Sequence, residues 1–146
     1  MRSLSLLFQK LQQNTTPNNP EEAIVWLQKL NHGEIGLINR KTLVLEWNEL
    51  FPEQGEILSA LGWIELELDN QKAAKNWFEQ AMRSPGPRSQ KSEWYRQLGK
   101  LQAEAGDLEP AERSFSYALR YDPNNAYALA SFAYFKARYR NNRAEA

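Results

Sequence analysis

The feature that most constrains this chain is that it repeats itself. Laying Leu61-Gly62 over Leu98-Gly99 brings Ala74 onto Ala111, Phe78 onto Phe115 and Ala81 onto Ala118, all at one offset of 37 residues. Self-similarity at such a period means that each copy is a small unit unable to bury its apolar face alone. Stacked copies bury a shared core, so the fold must be an array. A slightly shorter step back from Leu61 reaches Leu27. The same shorter step forward from Leu98 reaches Phe132, with Ala133 in place of the glycine. A helical bundle without repeats would not align small with small and aromatic with aromatic at one spacing.

Between those anchors the hydrophobic spacing is helical throughout, with no alternating strand pattern. Leu4, Leu7, Phe8 and Leu11 mark a short amphipathic helix over residues 1–12, and the polar residues 13–19 read as a linker. Asn19 can cap the next helix, Pro20 suits its first position, and Glu21 and Glu22 face the positive end of its dipole. Its apolar stripe is read as Ile24, Leu27 and Leu30, and that of the following helix as Ile38, Leu43, Leu45 and Trp47, ending before Pro52. Leu58, Leu61, Ile64 and Leu68 mark a third helix. Ala73, Ala74, Trp77, Phe78 and Ala81 mark a fourth, closed by Pro85-Gly86-Pro87. Trp94, Leu98, Leu101 and Ala105 form a fifth. Gly106 ends it and Asp107 caps a sixth, which carries Ala111, Phe115, Ala118 and Leu119. A seventh runs from about Ala126 to Tyr139. Links this short force antiparallel neighbours.

The spacing of Leu98, Gly99, Ala111, Phe115, Ala118 and Pro123 resembles the tetratricopeptide (TPR) repeat, a helix-turn-helix unit. The resemblance covers about residues 21–146. It implies an all-α fold, an α-α superhelix (a TPR-like solenoid) of about three and a half repeats, with the short N-terminal helix ahead of it. The repeats are assigned to 21–54, 55–91, 92–125 and a partial 126–146, so that residues 20–146 form one repeat domain. The second copy carries three extra residues before the third begins. The first departs from the pattern at Arg40 and Trp47, where small residues belong. Asn142 to Ala146 resembles the start of a further helix, so the sequence reads as a piece of a longer protein.

Composition removes most chemistry. There is no cysteine, hence no disulfide, thiolate nucleophile or Cys-based zinc site, and cysteine-free usage fits a cytoplasmic protein. His32 is the lone histidine, which leaves no metal site or Ser-His pair to build around it. Glu65, Glu67 and Asp69 read as solvated charge. Gly33 and Gly36 lack the following Lys-Ser or Lys-Thr of a phosphate loop. No apolar run reaches membrane-spanning length. Eighteen basic and eighteen acidic residues cancel, so no nucleic-acid partner is expected. The chain reads as a non-enzyme with no cofactor.

The TPR resemblance implies a protein or peptide partner, held in a concave groove lined by the first helix of each pair. Helical geometry then selects Val25 and Lys29, Ser59, Trp63 and Leu66, Arg96 and Lys100, and Tyr127 and Tyr134 as groove residues. Some members of the family clamp a chaperone's C-terminal carboxylate with Lys and Asn. Here the matching places hold Val25, Lys29, Ala60, Glu93 and Gln97, which argues against that ligand. Two further readings stand beside the scaffold. The chain is the repeat portion of a larger enzyme or signalling protein, or it forms a homodimer through Phe132, Phe135 and Tyr139 of the aromatic last helix. A last candidate surface is basic, comprising Arg83, Arg88, Lys91, Arg96 and Lys100, with Glu79, Glu93 and Glu104 near enough in sequence to neutralise it.

Overall fold

The computed structural model describes residues 16–30 and 35–140. The helix expected over residues 1–12, the first part of the linker, His32, Gly33 and the tail from Asn141 lie outside the described residues. Among those described, seven α-helices follow one another: α1 (Pro20–Leu30), α2 (Leu37–Leu50), α3 (Gly55–Glu67), α4 (Gln71–Arg83), α5 (Arg88–Glu104), α6 (Leu108–Tyr121) and α7 (Ala126–Phe135). A π-helical turn, Lys136–Arg140, continues α7. The architecture is the all-α helical repeat that the internal offset predicts.

Close approach of paired helices rests on the aligned small residues. A Cβ on Gly62 would stand 2.8 Å from the Phe78 ring, and one on Gly99 would stand 3.0 Å from the Phe115 ring. The same contact therefore recurs at the internal offset, joining α3 to α4 and α5 to α6. Ala74, Ala81, Ala111 and Ala118 are fully buried around those two rings. The turns recur as well. Asp69 (φ 61°) and Gly106 (φ 89°) both adopt left-handed backbone. Asn70 N–H donates to the Glu65 carbonyl and Asp69 N–H to that of Leu66. The same two bonds run from Asp107 to Gln102 and from Gly106 to Ala103. This is a Schellman ending used twice.

The core is serial. One cluster joins α1, α2 and α3 through Trp26, Leu30, Val44, Trp47, Ile57 and Leu61. A second joins α3, α4 and α5 through Leu58, Phe78, Trp94 and Leu98. A third joins α5, α6 and α7 through Ala103, Phe115 and Phe135. Each unit thus completes its burial on the next.

The first unit departs from the others as its sequence implies. Trp47 is buried edge-on against Trp26, with ring centroids 5.9 Å apart, so an indole pair occupies the space that small residues leave elsewhere. Arg40 reaches across to Glu67 at 3.3 Å. Lys41 stands 2.6 Å from Glu65, which is buried, so Glu65 is an interior ion-pair partner and not the solvated charge its sequence context predicts. Ile38 is also misplaced by periodicity: it is 63% exposed, and α2 buries Val44 and Trp47 instead.

The extra residues of the second unit lengthen α5 at its start, and the Trp94 indole fills the bend that precedes it. A Cβ on Gly55 would lie 2.6 Å from the indole and one on Gly86 2.8 Å from it. The ring is wedged between the start of α3 and the Pro85-Gly86-Pro87 turn, so only backbone without side chain passes on either side. Helix starts follow the sequence in part. The Asn19 side chain accepts from Glu22 N–H at 2.8 Å, as a cap should. Asp107 holds the capping position of α6, but its carboxylate turns away and accepts from Lys75 at 3.4 Å.

Candidate functional site

Two separate hollows lie along the first helices of the pairs. The broader, the groove of the first units, is a hollow of about 950 Å³ between α1, α3 and the start of α5, floored by Ile24, Leu27 and Ala60 and edged by Trp63, Glu56 and Glu93. A smaller hollow of about 320 Å³ lies between α5 and α7, where Lys100, Ala103 and Glu104 face Ala130, Ser131 and Tyr134. Both are open, with apolar residues on their floors and charged residues on their rims, as suits a segment of another chain.

The sequence-selected residues divide over these surfaces. Trp63 is on the groove. One edge of its indole packs on the Phe78 ring, with centroids 5.4 Å apart, and 38% of the residue stays exposed. It therefore serves the core and the surface together. Ser59 lines the same hollow but is buried, and its hydroxyl donates to the Glu56 carbonyl at 3.1 Å. Lys100 and Tyr134 line the smaller hollow. Leu66 does not reach the groove; it packs against the Phe78 and Leu98 cluster. Val25 and Lys29 are exposed beside the groove and not in it. The buried stripe of α1 is Ala23, Trp26 and Leu30, one position away from the stripe read at Ile24 and Leu27. One position is about 100° of helix rotation, which turns Ile24, Leu27 and Gln28 to the hollow instead.

Arg96 is held in place. Its guanidinium makes a forked contact with Glu93 at 2.8 to 3.3 Å and lies 5.7 Å above the Tyr127 ring. Glu93 also accepts from the Asn125 side chain at 2.7 Å. Burial pushes the Glu93 carboxyl up. Hydrogen bonds from Arg96 and Asn125 and the charges of Arg96 and Lys100 outweigh that push, so it titrates below its ordinary 4.5. The groove is consequently edged by acid as well as base. Glu56, Glu67 and Glu93 line it, and Arg40 and Arg96 are each paired with one of them.

The aromatic last helix is corrected on one point. Phe135 is 1% exposed and sits within 5.4 Å of the Phe115 ring, centroid to centroid. Phe132 stacks on Phe115 at 5.6 Å, and Tyr139 packs on Phe135 at 5.5 Å. Phe135 thus belongs to the chain's own core, whereas Phe132 and Tyr139 pack against that core and stay half-buried. The apolar surface of α7 that solvent does reach is Tyr127 (73%), Tyr134 (63%) and Leu129. No helix among the described residues is long and apolar enough to cross a membrane.

No protein-family model matches the sequence, and no curated protein is similar to it. Among solved structures the fold is similar to a crystal structure of MamA, at a TM-score of 0.69 and 14% sequence identity, over 93% of this chain and 85% of that one. At that identity the likeness speaks to fold alone, and what it supports is a TPR-like helical repeat.

Proposed function

We propose that the chain is a non-catalytic, cytoplasmic protein-interaction scaffold that holds a peptide segment of a partner in the groove between α1, α3 and the start of α5. The observation that carries this reading is the half-exposed Trp63 indole at the edge of a hollow of about 950 Å³ with an apolar floor of Ile24, Leu27 and Ala60. Surface indoles fixed by packing are the side chains that most often anchor a partner, because little freedom is lost on binding. The rim refines the ligand. With Glu56, Glu67 and Glu93 on the groove, the segment that fits carries apolar anchors and neutral or basic neighbours, not acidic ones.

The test is affinity capture from the source cell lysate with the full chain and with Trp63→Ala and Leu27→Asp variants alongside. Partners retained by the parent and lost by both variants support the groove. A partner held equally by all three removes recognition from this surface and ends the proposal.

A further inference from the structure

Helix α5 presents a second stripe, turned away from the groove. Arg88, Lys91 and Tyr95 follow one another there, and α6 sets Tyr117 and Tyr121 beside them. Tyr95 lies between the other two rings, 5.3 Å from Tyr117 and 5.5 Å from Tyr121. Cations cover the outer rings: Arg88 at 4.9 Å and Lys91 at 5.6 Å from Tyr121, and Arg120 at 5.5 Å from Tyr117. Arg83 and Arg113 stand on the two sides of an adjoining cleft of about 430 Å³ that Tyr95 and Tyr117 also line.

These five cations have no carboxylate partner among the described residues; the ion pairs there involve Arg40, Lys41, Lys75, Arg96 and Arg140. The acids that sequence proximity assigns to neutralise them are committed elsewhere. Glu93 is taken by Arg96 and Asn125, Glu104 lines the smaller hollow, and Glu79 at the cleft rim is shared with Lys75. A chain of zero net charge thus gathers positive charge on this face while its groove is edged with glutamates.

We propose that the tyrosine-backed face of α5 and α6 is a second docking surface, and that its partner is an acidic protein segment. Charge complementarity selects the acid. The guanidinium groups lie over the ring faces, which leaves little bare π-surface for nucleic-acid bases to stack on. One Arg88 N–H is held by the Arg120 carbonyl, and the remaining donors of the two guanidinium groups serve carboxylates. The cleft beside them is floored by Leu98, Met82 and Pro110, which takes one apolar side chain among the acids.

The experiment is a titration of the full chain with a labelled twelve-residue peptide of glutamates around a central leucine. Fluorescence anisotropy and backbone amide shifts are read together. The amides of Lys91, Tyr95 and Arg120 are expected to move, and affinity to fall about tenfold in the Arg88→Glu, Arg120→Glu double variant. The Arg88→Lys, Arg120→Lys variant should stay within about threefold, and Trp63→Ala should bind as the parent does. Because Arg88 also donates to the Arg120 carbonyl at 3.2 Å, the exposed Arg83→Glu, Arg113→Glu pair serves if the first variant unfolds. An absence of binding by the parent, equal binding by folded charge-reversed variants, or shifts confined to the groove would overturn the proposal. So would tighter binding of a poly-dT oligonucleotide to the same residues.

Discussion

The side-chain amide of Asn125 donates to the hydroxyl of Ser92 across 2.9 Å, tying the start of α7 to α5. Ser92 passes the connection on, donating to the Ala118 carbonyl at 2.7 Å near the end of α6. The same Asn125 caps α7 through Ala128 N–H at 3.1 Å and donates to Glu93. Asn125 thus satisfies a helix end and joins α7 to α5, and Ser92 extends the connection to α6. Asn125→Ala is expected to lower unfolding stability by about 2 kcal/mol, a cap plus a buried hydrogen bond. Asn125→Ser, which keeps only the cap, should cost about half as much by urea titration, and equal stability of all three proteins would contradict this account.

Glu93 makes the stability depend on pH at the acid end. Its folded pKa is depressed, so its contribution is fully present above its ordinary 4.5 and is lost as the pH falls through the lower folded value. Glu93→Gln should flatten the fall in melting temperature below that pH relative to the parent. Parallel curves would show that the Arg96 and Asn125 contacts do not favour the ionised form.

The two left-handed turns offer an internal comparison. Gly106 has open space around it, so Gly106→Ala meets only backbone strain and should lose about 1 kcal/mol. Asp69 bears that strain already, and Asp69→Gly should gain about 0.5 kcal/mol. Thermal unfolding of both variants checks the pair, and a shift of the same sign in each would break the equivalence.

At the helix crossings the expected order is Gly62→Ala worse than Gly99→Ala, because the nearest ring atom is 2.8 Å from the new methyl in the first and 3.0 Å in the second. Overpacking of the first should cost about 2 kcal/mol. Adding Phe78→Leu should recover part of it, whereas a purely additive loss would point to some cause other than the clash.

What was legible in the sequence was whatever repeats. Phe78 and Phe115, with their facing glycines, announced themselves by a shared offset, and the burial of each follows from the other. Helix α1 shows the opposite case. Ala23, Trp26 and Leu30 have helical spacing, but so do Ile24, Leu27 and Leu30, and both stripes end on the same leucine. Periodicity within α1 has no means to choose between them. The choice is made by Trp47, which packs on Trp26 from the next helix, α2. The groove shifted by one residue on α1 for that reason.

Charges were the least legible. Nothing near Glu65 in sequence signals an interior carboxylate, since its partner Lys41 comes from another helix. Asp107 was placed correctly at a helix start, yet Lys75 draws its carboxylate away from the cap. Phe135 failed differently: an aromatic on a helix with apolar residues on more than one side gives no sign of which side is covered, and the covering ring, Phe115, belongs to the preceding helix.

The tryptophan wedged at the bend gives two distant glycines a shared meaning. Trp94 occupies the room between Gly55 and Gly86, so two stretches of backbone are shaped to one ring. Removing the ring would leave a void under the turn. In descendants of this chain the three positions should be inherited as one character: wherever position 94 holds a smaller side chain, glycine at 55 and 86 should no longer be required.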